Sequence, residues 1–189
     1  MRKIFLMTAV IFAMLTATAL ANDEIYEYTS KTYGFKITCP AKPIVKVNPF
    51  DDPKQKGELL VFAHKDGKII FGYEILLDAF DNSVPDFNKA SRKVIDQYLN
   101  GLRGQKIYAY AELENVSKGN RGVLAITAKE IDVLGDNGEI EGKITADRQA
   151  AFTFFRTKSG RCISIQLITN DLSKDNLDDY RKSVSTFRD

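Results

Sequence analysis

Apolar residues fill both parities of the strand-like segments in this chain. Ile69, Phe71, Tyr73 and Ile75 share one parity, while Ile70 and Leu76 hold the other. Val123 and Ala125 oppose Leu124 and Ile126, and Phe152 and Phe154 oppose Phe155. Successive side chains of a strand point to opposite faces of its sheet. A sheet with one wet face would place polar residues at every second position. Here both faces need cover.

Two segments have the spacing to supply it. Phe87, Ala90, Ser91, Val94, Tyr98 and Leu102 recur at helical intervals, which predicts an amphipathic helix over 85–103, about five turns long. Asn82 or Ser83 suits its cap, Pro85 its first turn and Gly104 its stop. Leu177, Tyr180, Val184 and Phe187 stripe a second helix, with Asp171 or Ser173 as cap. The predicted fold is therefore α+β, an α/β/α sandwich whose mostly antiparallel sheet carries one helix on each face.

The strands are punctuated by turn residues. Tyr33 to Cys39 alternates and stops at Pro40 and Pro43, and Ile44 to Val47 is a short extended piece before a polar connection over 48–57. Glu58 to His64 and Lys68 to Asp78 read as a hairpin about Lys65-Asp66-Gly67, with Asp-Gly supplying positive φ. Four strands are expected over 106–116, 122–134, 139–155, with Gly142 a place for a bend, and 161–169. Short turns between them predict antiparallel neighbours. No long linker or internal repeat divides the chain, so residues 22–189 read as one domain.

Residues 1–21 read as an address. Arg2 and Lys3 precede an uncharged run that ends in Ala19-Leu20-Ala21, the order of a secretory signal peptide cut after Ala21. The dense apolar part, Ile4 to Leu15, is well short of the roughly 20 residues a membrane span needs. Export is the expectation, to a periplasmic, envelope or secreted location. Arg2 and Lys3 are two of the 27 basic residues, so cleavage leaves 25 to balance the 25 acidic ones. A neutral chain lacks the basic excess that nucleic-acid or anionic-membrane binding uses. Lys89, Arg92 and Lys93 sit together, with a solvated helix face as their simple explanation.

Export permits a disulfide between Cys39 and Cys162. It would close roughly 120 residues and contribute roughly 4 to 5 kcal/mol in the chain-entropy model. Parity argues against it. Cys39 shares a face with Phe35 and Ile37, Cys162 opposes Ile163, Ile165 and Leu167, and both strands are expected in one sheet. Two buried free thiols are the alternative.

The order of elements is a first strand, a hairpin, a helix, a four-strand meander and a terminal helix. With the opening Tyr28-Thr-Ser-Lys-Thr-Tyr-Gly-Phe-Lys-Ile-Thr-Cys-Pro40 and the closing Tyr180-Arg-Lys-Ser-Val-Ser-Thr-Phe187, it resembles the PsbP-like superfamily of small exported or lumenal proteins. The resemblance implies an α/β/α sandwich and a non-catalytic role as an assembly factor, accessory subunit or partner-binding module. Some members bind divalent metals through surface His and acidic residues. This chain has one His and no matching cluster, so that property is not carried over.

Candidate chemistry is sparse. His64, the single histidine, would need a nucleophile and an orienting carboxylate beside it for hydrolysis. Its place at a strand end favours a structural role, and one His makes a poor metal site. In Asp132 to Glu141, placing Gly138 at loop position six puts Val133 at one and Ile144 at twelve, which defeats a calcium loop. Asp51 and Asp52, like Asp178 and Asp179, are adjacent carboxylates that diverge rather than form a dyad. Asn115-Val-Ser117 fits a glycosylation sequon. Tyr26, Tyr28, Tyr33 and Phe35, or Tyr108 and Tyr110 on one strand face, are candidate docking patches that sheet packing also explains. The expectation is thus no catalytic, cofactor or metal residue, and a domain that binds a protein partner. The alternative is a small-ligand carrier with a pocket between the sheet and helix 85–103.

Overall fold

The computed structural model describes residues 25–47, 55–78, 83–117, 119–134, 139–146 and 149–189. The expected signal peptide over 1–21, Asp51, Asp52, the Asn82 cap and the turn at 135–138 lie outside them. The elements run β1 (Tyr26–Thr29), β2 (Lys36–Cys39), β3 (Pro43–Val47), β4 (Lys56–Phe62), β5 (Phe71–Leu77) and α1 (Arg92–Gly104). Next come β6 (Tyr108–Ser117), β7 (Asn120–Thr127), β8 (Glu130–Leu134), β9 (Ile140–Thr145), β10 (Ala151–Arg156), β11 (Cys162–Thr169) and α2 (Lys174–Ser185). Seven strands form one antiparallel sheet in the order β3-β4-β5-β11-β10-β7-β6, and β1–β2 and β8–β9 are separate hairpin pairs.

The two apolar parities become two cores. Phe71, Tyr73, Ile75, Leu124, Phe155, Ile163 and Ile165 face a core closed by Tyr180 and Val184 of α2. Val123, Ala125, Phe154 and Cys162 face the other, closed by Ile95, Leu99 and Leu102 of α1. The sandwich is therefore the one the alternation demands. On the α2 side the β1–β2 pair adds Tyr28, Phe35, Ile37 and Cys39 to the cover. Gly34, at φ +79°, makes that placement possible. Only glycine takes this left-handed turn without strain, and it delivers Phe35 fully buried onto Phe187, centroids 5.5 Å apart. Lys36 and Arg188 then exchange backbone hydrogen bonds of 2.8 and 2.9 Å, joining the two ends of the domain.

Buried hydroxyls tie α2 to the sheet. The Tyr180 hydroxyl lies 2.6 Å from the Ile165 carbonyl and 2.7 Å from Thr153 Oγ1, so it donates to the first and accepts from the second. Tyr73 donates to Ser183 Oγ at 2.8 Å. Burial pushes both phenol pKa values well above their ordinary range. Elsewhere strands approach closely. A Cβ on Gly122 would meet the Phe154 carbonyl oxygen at 2.7 Å, Val116 Cγ1 at 2.8 Å and Phe155 Cβ at 2.9 Å.

Several expectations are corrected. Helix α1 begins at Arg92, not near Pro85. Asp86 Oδ1 accepts from the Asn88 amide at 3.1 Å and its carbonyl from Lys89 and Ala90, which closes a local turn instead. Ser91, expected on the buried stripe, is the N-cap and accepts from the Val94 amide. Val94 consequently faces solvent, and Ile95, Leu99 and Leu102 face the core. At α2 the cap is Ser173, one of the two expected. The β4–β5 connection spans 63–70 rather than a tight turn, and Gly67 does not take positive φ. Segments 122–134 and 139–155 each split in two, so the β8–β9 hairpin interrupts the meander and β7 pairs β10 directly. Tyr108 and Tyr110 do not share a face. A register shift between them sends Tyr108 to the α1 core and Tyr110 to the α2 core. Against the expectation of one shared sheet, Cys39 lies in the β1–β2 pair and Cys162 in the main sheet. The parity argument, which needed one sheet, therefore does not apply, but the two are free thiols, buried in separate cores.

Candidate functional site

A groove opens where α1 lies over the β6–β7 edge of the sheet. Ile95 and Leu99 of α1, Leu113 of β6 and Ala90 form its apolar floor. Arg92, Asp96 and Arg121 line it with charge, and the hollow, open to solvent along one side, measures about 350 Å³. Its position follows from the local sequence. The Asp86 turn and the Ser91 cap start α1 late, and Arg103 pins the other end by donating twice to the Ala111 carbonyl, at 2.7 and 3.1 Å. The helix thus crosses at the sheet's margin. Arg121 anchors the preceding turn. Its amide donates to Asn88 Oδ1 at 2.8 Å, and its guanidinium reaches the Phe87 carbonyl at 3.4 Å.

The electrostatics of this margin are unbalanced. Arg92 and Lys93 open α1, with no acidic residue in its first turn, although the positive end of a helix favours acids. Arg92 meets Asp96 at 3.7 Å, but both side chains are largely exposed, so water screens the pair. Lys89 pairs with Asp86 at 3.1 Å. Among the described residues, no carboxylate lies within ion-pair distance of Arg121. The sequence presented Lys89, Arg92 and Lys93 as one solvated face. What it did not show was Arg121, which lines the same hollow as Arg92.

The other candidates make contacts within the fold. His64 Nδ1 accepts from the Asp66 amide at 3.0 Å, which leaves Nε2 to donate to Asn176 Oδ1 at 3.1 Å. Asn176 in turn donates to the carbonyl and a carboxylate oxygen of Asp171, at 2.9 and 3.2 Å. The ring joins the 63–70 connection to α2, with both nitrogens engaged and neither facing a hydroxyl or thiol among the described residues. Asp178 and Asp179 lie on the wet face of α2. Asp178 is paired with Lys174 and Arg181, and Asp179 with Lys182 at 2.9 Å. The hydrogen bond from Lys174 holds the Asp178 carboxyl below its usual range. Asn115 is exposed in β6, near the second of that strand's register shifts.

The aromatic cluster at the start of the domain is mostly core. Tyr28 and Phe35 are buried, and Tyr26 and Tyr33 pack against them. Tyr28 has a polar task that the sequence did not advertise. Glu58 of β4 is only 8% exposed and accepts from the Tyr28 hydroxyl at 2.7 Å and from Ser30 Oγ at 2.8 Å. Burial, then the hydrogen bond to Glu58, raises the Tyr28 pKa well above the ordinary phenol range. Among the described residues, no group of His, Cys, Asp and Glu is arranged to hold a metal ion. Nor is any helix there long and apolar enough to cross a membrane.

No family model matches the sequence, and no curated protein matches it. Among solved structures, the chain is similar to the solution structure of cyanobacterial PsbP (CyanoP) from Synechocystis sp. PCC 6803. The likeness covers 92% of this chain and 96% of that one, at 11% identity and a TM-score of 0.49. With so little identity, no residue role passes from that protein to this one.

Proposed function

We propose that the chain is an exported, non-catalytic PsbP-like domain that serves as a protein-binding accessory factor of the cell envelope. The observation that carries this reading is the edge strand β3, which among the described residues pairs with β4 alone. Ile44 and Val47 are 44% and 43% exposed there. An unpaired edge offers backbone hydrogen bonds to a partner strand, and exposed aliphatics give it something to bury. The leader-like segment over 1–21 supports export. Affinity capture from native envelope extracts, with wild-type protein and an Ile44→Lys, Val47→Lys variant, tests the reading. A specific partner recovered by the wild type and lost with the variant is expected. Recovery of no partner, together with no altered complex on deleting the gene, overturns it.

A second reading has its own observation. The groove beside α1 lies in the place expected for a small-ligand pocket, and its volume is within the range of small-molecule sites. On that reading the domain carries a ligand, and native mass spectrometry of the purified protein finds it retained.

A further inference from the structure

We infer that β3 takes an extended acidic segment of another protein, one that alternates carboxylates with aliphatic residues and adds to the sheet as its next strand. This rests on the protein-binding reading and specifies the chemistry of the partner. The ladder with β4 sets which way the β3 side chains stand, because residues directly opposite share a face. Lys46 is opposite Leu60, on the face that α2 covers. Val45 and Val47 are opposite Val61 and Leu59, on the other face. The register shift between Pro43 and Val45 leaves Ile44 with no opposite residue, and it stands out from the strand as an exposed aliphatic. The charge lies on one face only. Lys46 Nζ sits 5.7 Å from the centroid of the Tyr28 ring. Lys56 of β4 has the parity of Leu60 and shares that face. Among the described residues, no carboxylate lies within ion-pair distance of either lysine. Glu58, the acid of that face, is taken up by Tyr28 and Ser30. A strand laid against β3 therefore meets Lys46 at one parity and Val45 and Val47 at the other. Acids suit the first and aliphatics the second, whereas a basic strand would set like charges side by side. A lysine on an edge also deters the β3 of a second copy. The β6 of a second copy does offer Glu112 and Glu114. Arg181 already engages Glu114 at 2.8 Å, however, and α1 packs against Ala111 and Leu113 of that strand.

The test is amide-resolved NMR titration of the purified protein with capped peptides that alternate valine with glutamate, with glutamine or with lysine. The glutamate peptide is expected to shift the amides of Ile44, Val45, Lys46 and Val47 with saturation and to leave β6 unmoved. The glutamine peptide should bind roughly threefold more weakly, the loss of one exposed ion pair, and the lysine peptide more weakly still. Added salt should weaken the glutamate peptide and leave the glutamine peptide unaffected. Lys46→Glu should reverse the order of the glutamate and lysine peptides. Lys46 is exposed, so the exchange leaves both cores intact. Lys158→Gln, in a distant turn, should change no affinity. Equal affinity for the three peptides, an unreversed order in Lys46→Glu, or failure of every peptide to move the β3 amides overturns the inference. The protein-binding reading then still stands on its own test, capture from envelope extracts. Concentration-dependent self-association that Lys46→Glu abolishes overturns the inference in favour of a second copy.

Discussion

Replacing Gly122 by alanine is expected to destabilise the domain, although adding a methyl to a strand glycine ordinarily helps. The ordinary gain is about 0.5–1 kcal/mol of unfolded-chain entropy. At Gly122 the new Cβ would lie within 3.0 Å of three atoms. One is the Phe154 carbonyl oxygen and another the Cβ of Phe155, both fixed by the β7–β10 ladder. Neither can swing aside as a side-chain end would, so β7 must shift against β10. Overpacking of this kind costs about 1–3 kcal/mol. The net loss is about 0.5–2 kcal/mol, which for a domain of this size lowers Tm by about 1–8 °C. Urea unfolding followed by circular dichroism should show a lower midpoint with an unchanged slope. Gly101→Ala is the matched control. That residue lies in α1 with open space where the Cβ would go, and the substitution should raise stability by about 0.5–1 kcal/mol. A Gly122→Ala protein as stable as wild type would refute the close approach of β7 and β10.

Two further outcomes follow from the buried polar groups. Tyr180→Phe removes the hydroxyl that Thr153 needs and should cost about 1–3 kcal/mol, while adding Thr153→Val should recover part of it; a double-mutant cycle in urea measures the coupling. Desolvation pushes the Cys39 thiol up to about 12, whereas in the unfolded chain it titrates near about 8.5. The folded state therefore holds a proton that the unfolded state releases. Stability should be full below about pH 8.5 and fall as pH rises toward 12. Cys39→Ala should flatten that part of the decline, and thiol reagents at pH 8 should label neither cysteine before unfolding, because both are buried.

The legible parts of this protein were those governed by local period. Alternation in β5, β7, β10 and β11 requires two covered faces, and the coordinates assign Val123 and Leu124 to opposite cores as that period dictates. The cap of α2 was narrowed by residue type to Asp171 or Ser173, and Ser173 takes the place. Misreadings arose where a short-range hydrogen bond overrode the period. Phe87 keeps the phase of a helix, and it is buried as that phase requires, yet Asp86 folds its neighbours into a turn. The register shift at Tyr108 is likewise set by pairing with β7, which strand parity does not encode. The candidate groove was legible in location only. Arg121 belongs to a strand that the sequence read from Gly122, and its place in the same hollow as Arg92 depends on how α1 crosses the sheet.

The strand order carries a consequence for assembly of the domain. β11 lies between β5 and β10, pairing Phe71–Leu77 on one side and Ala151–Arg156 on the other. The earlier half of the sheet, β3-β4-β5, and the later half, β6-β7-β10, have no ladder of their own in common. A chain emerging from its amino end must hold two unfinished sheets, each with a raw margin, until the penultimate element arrives. Closing such distant pairings is slow. Until then each raw margin is a template for pairing with another chain, which a chaperone that shields strand margins would cover.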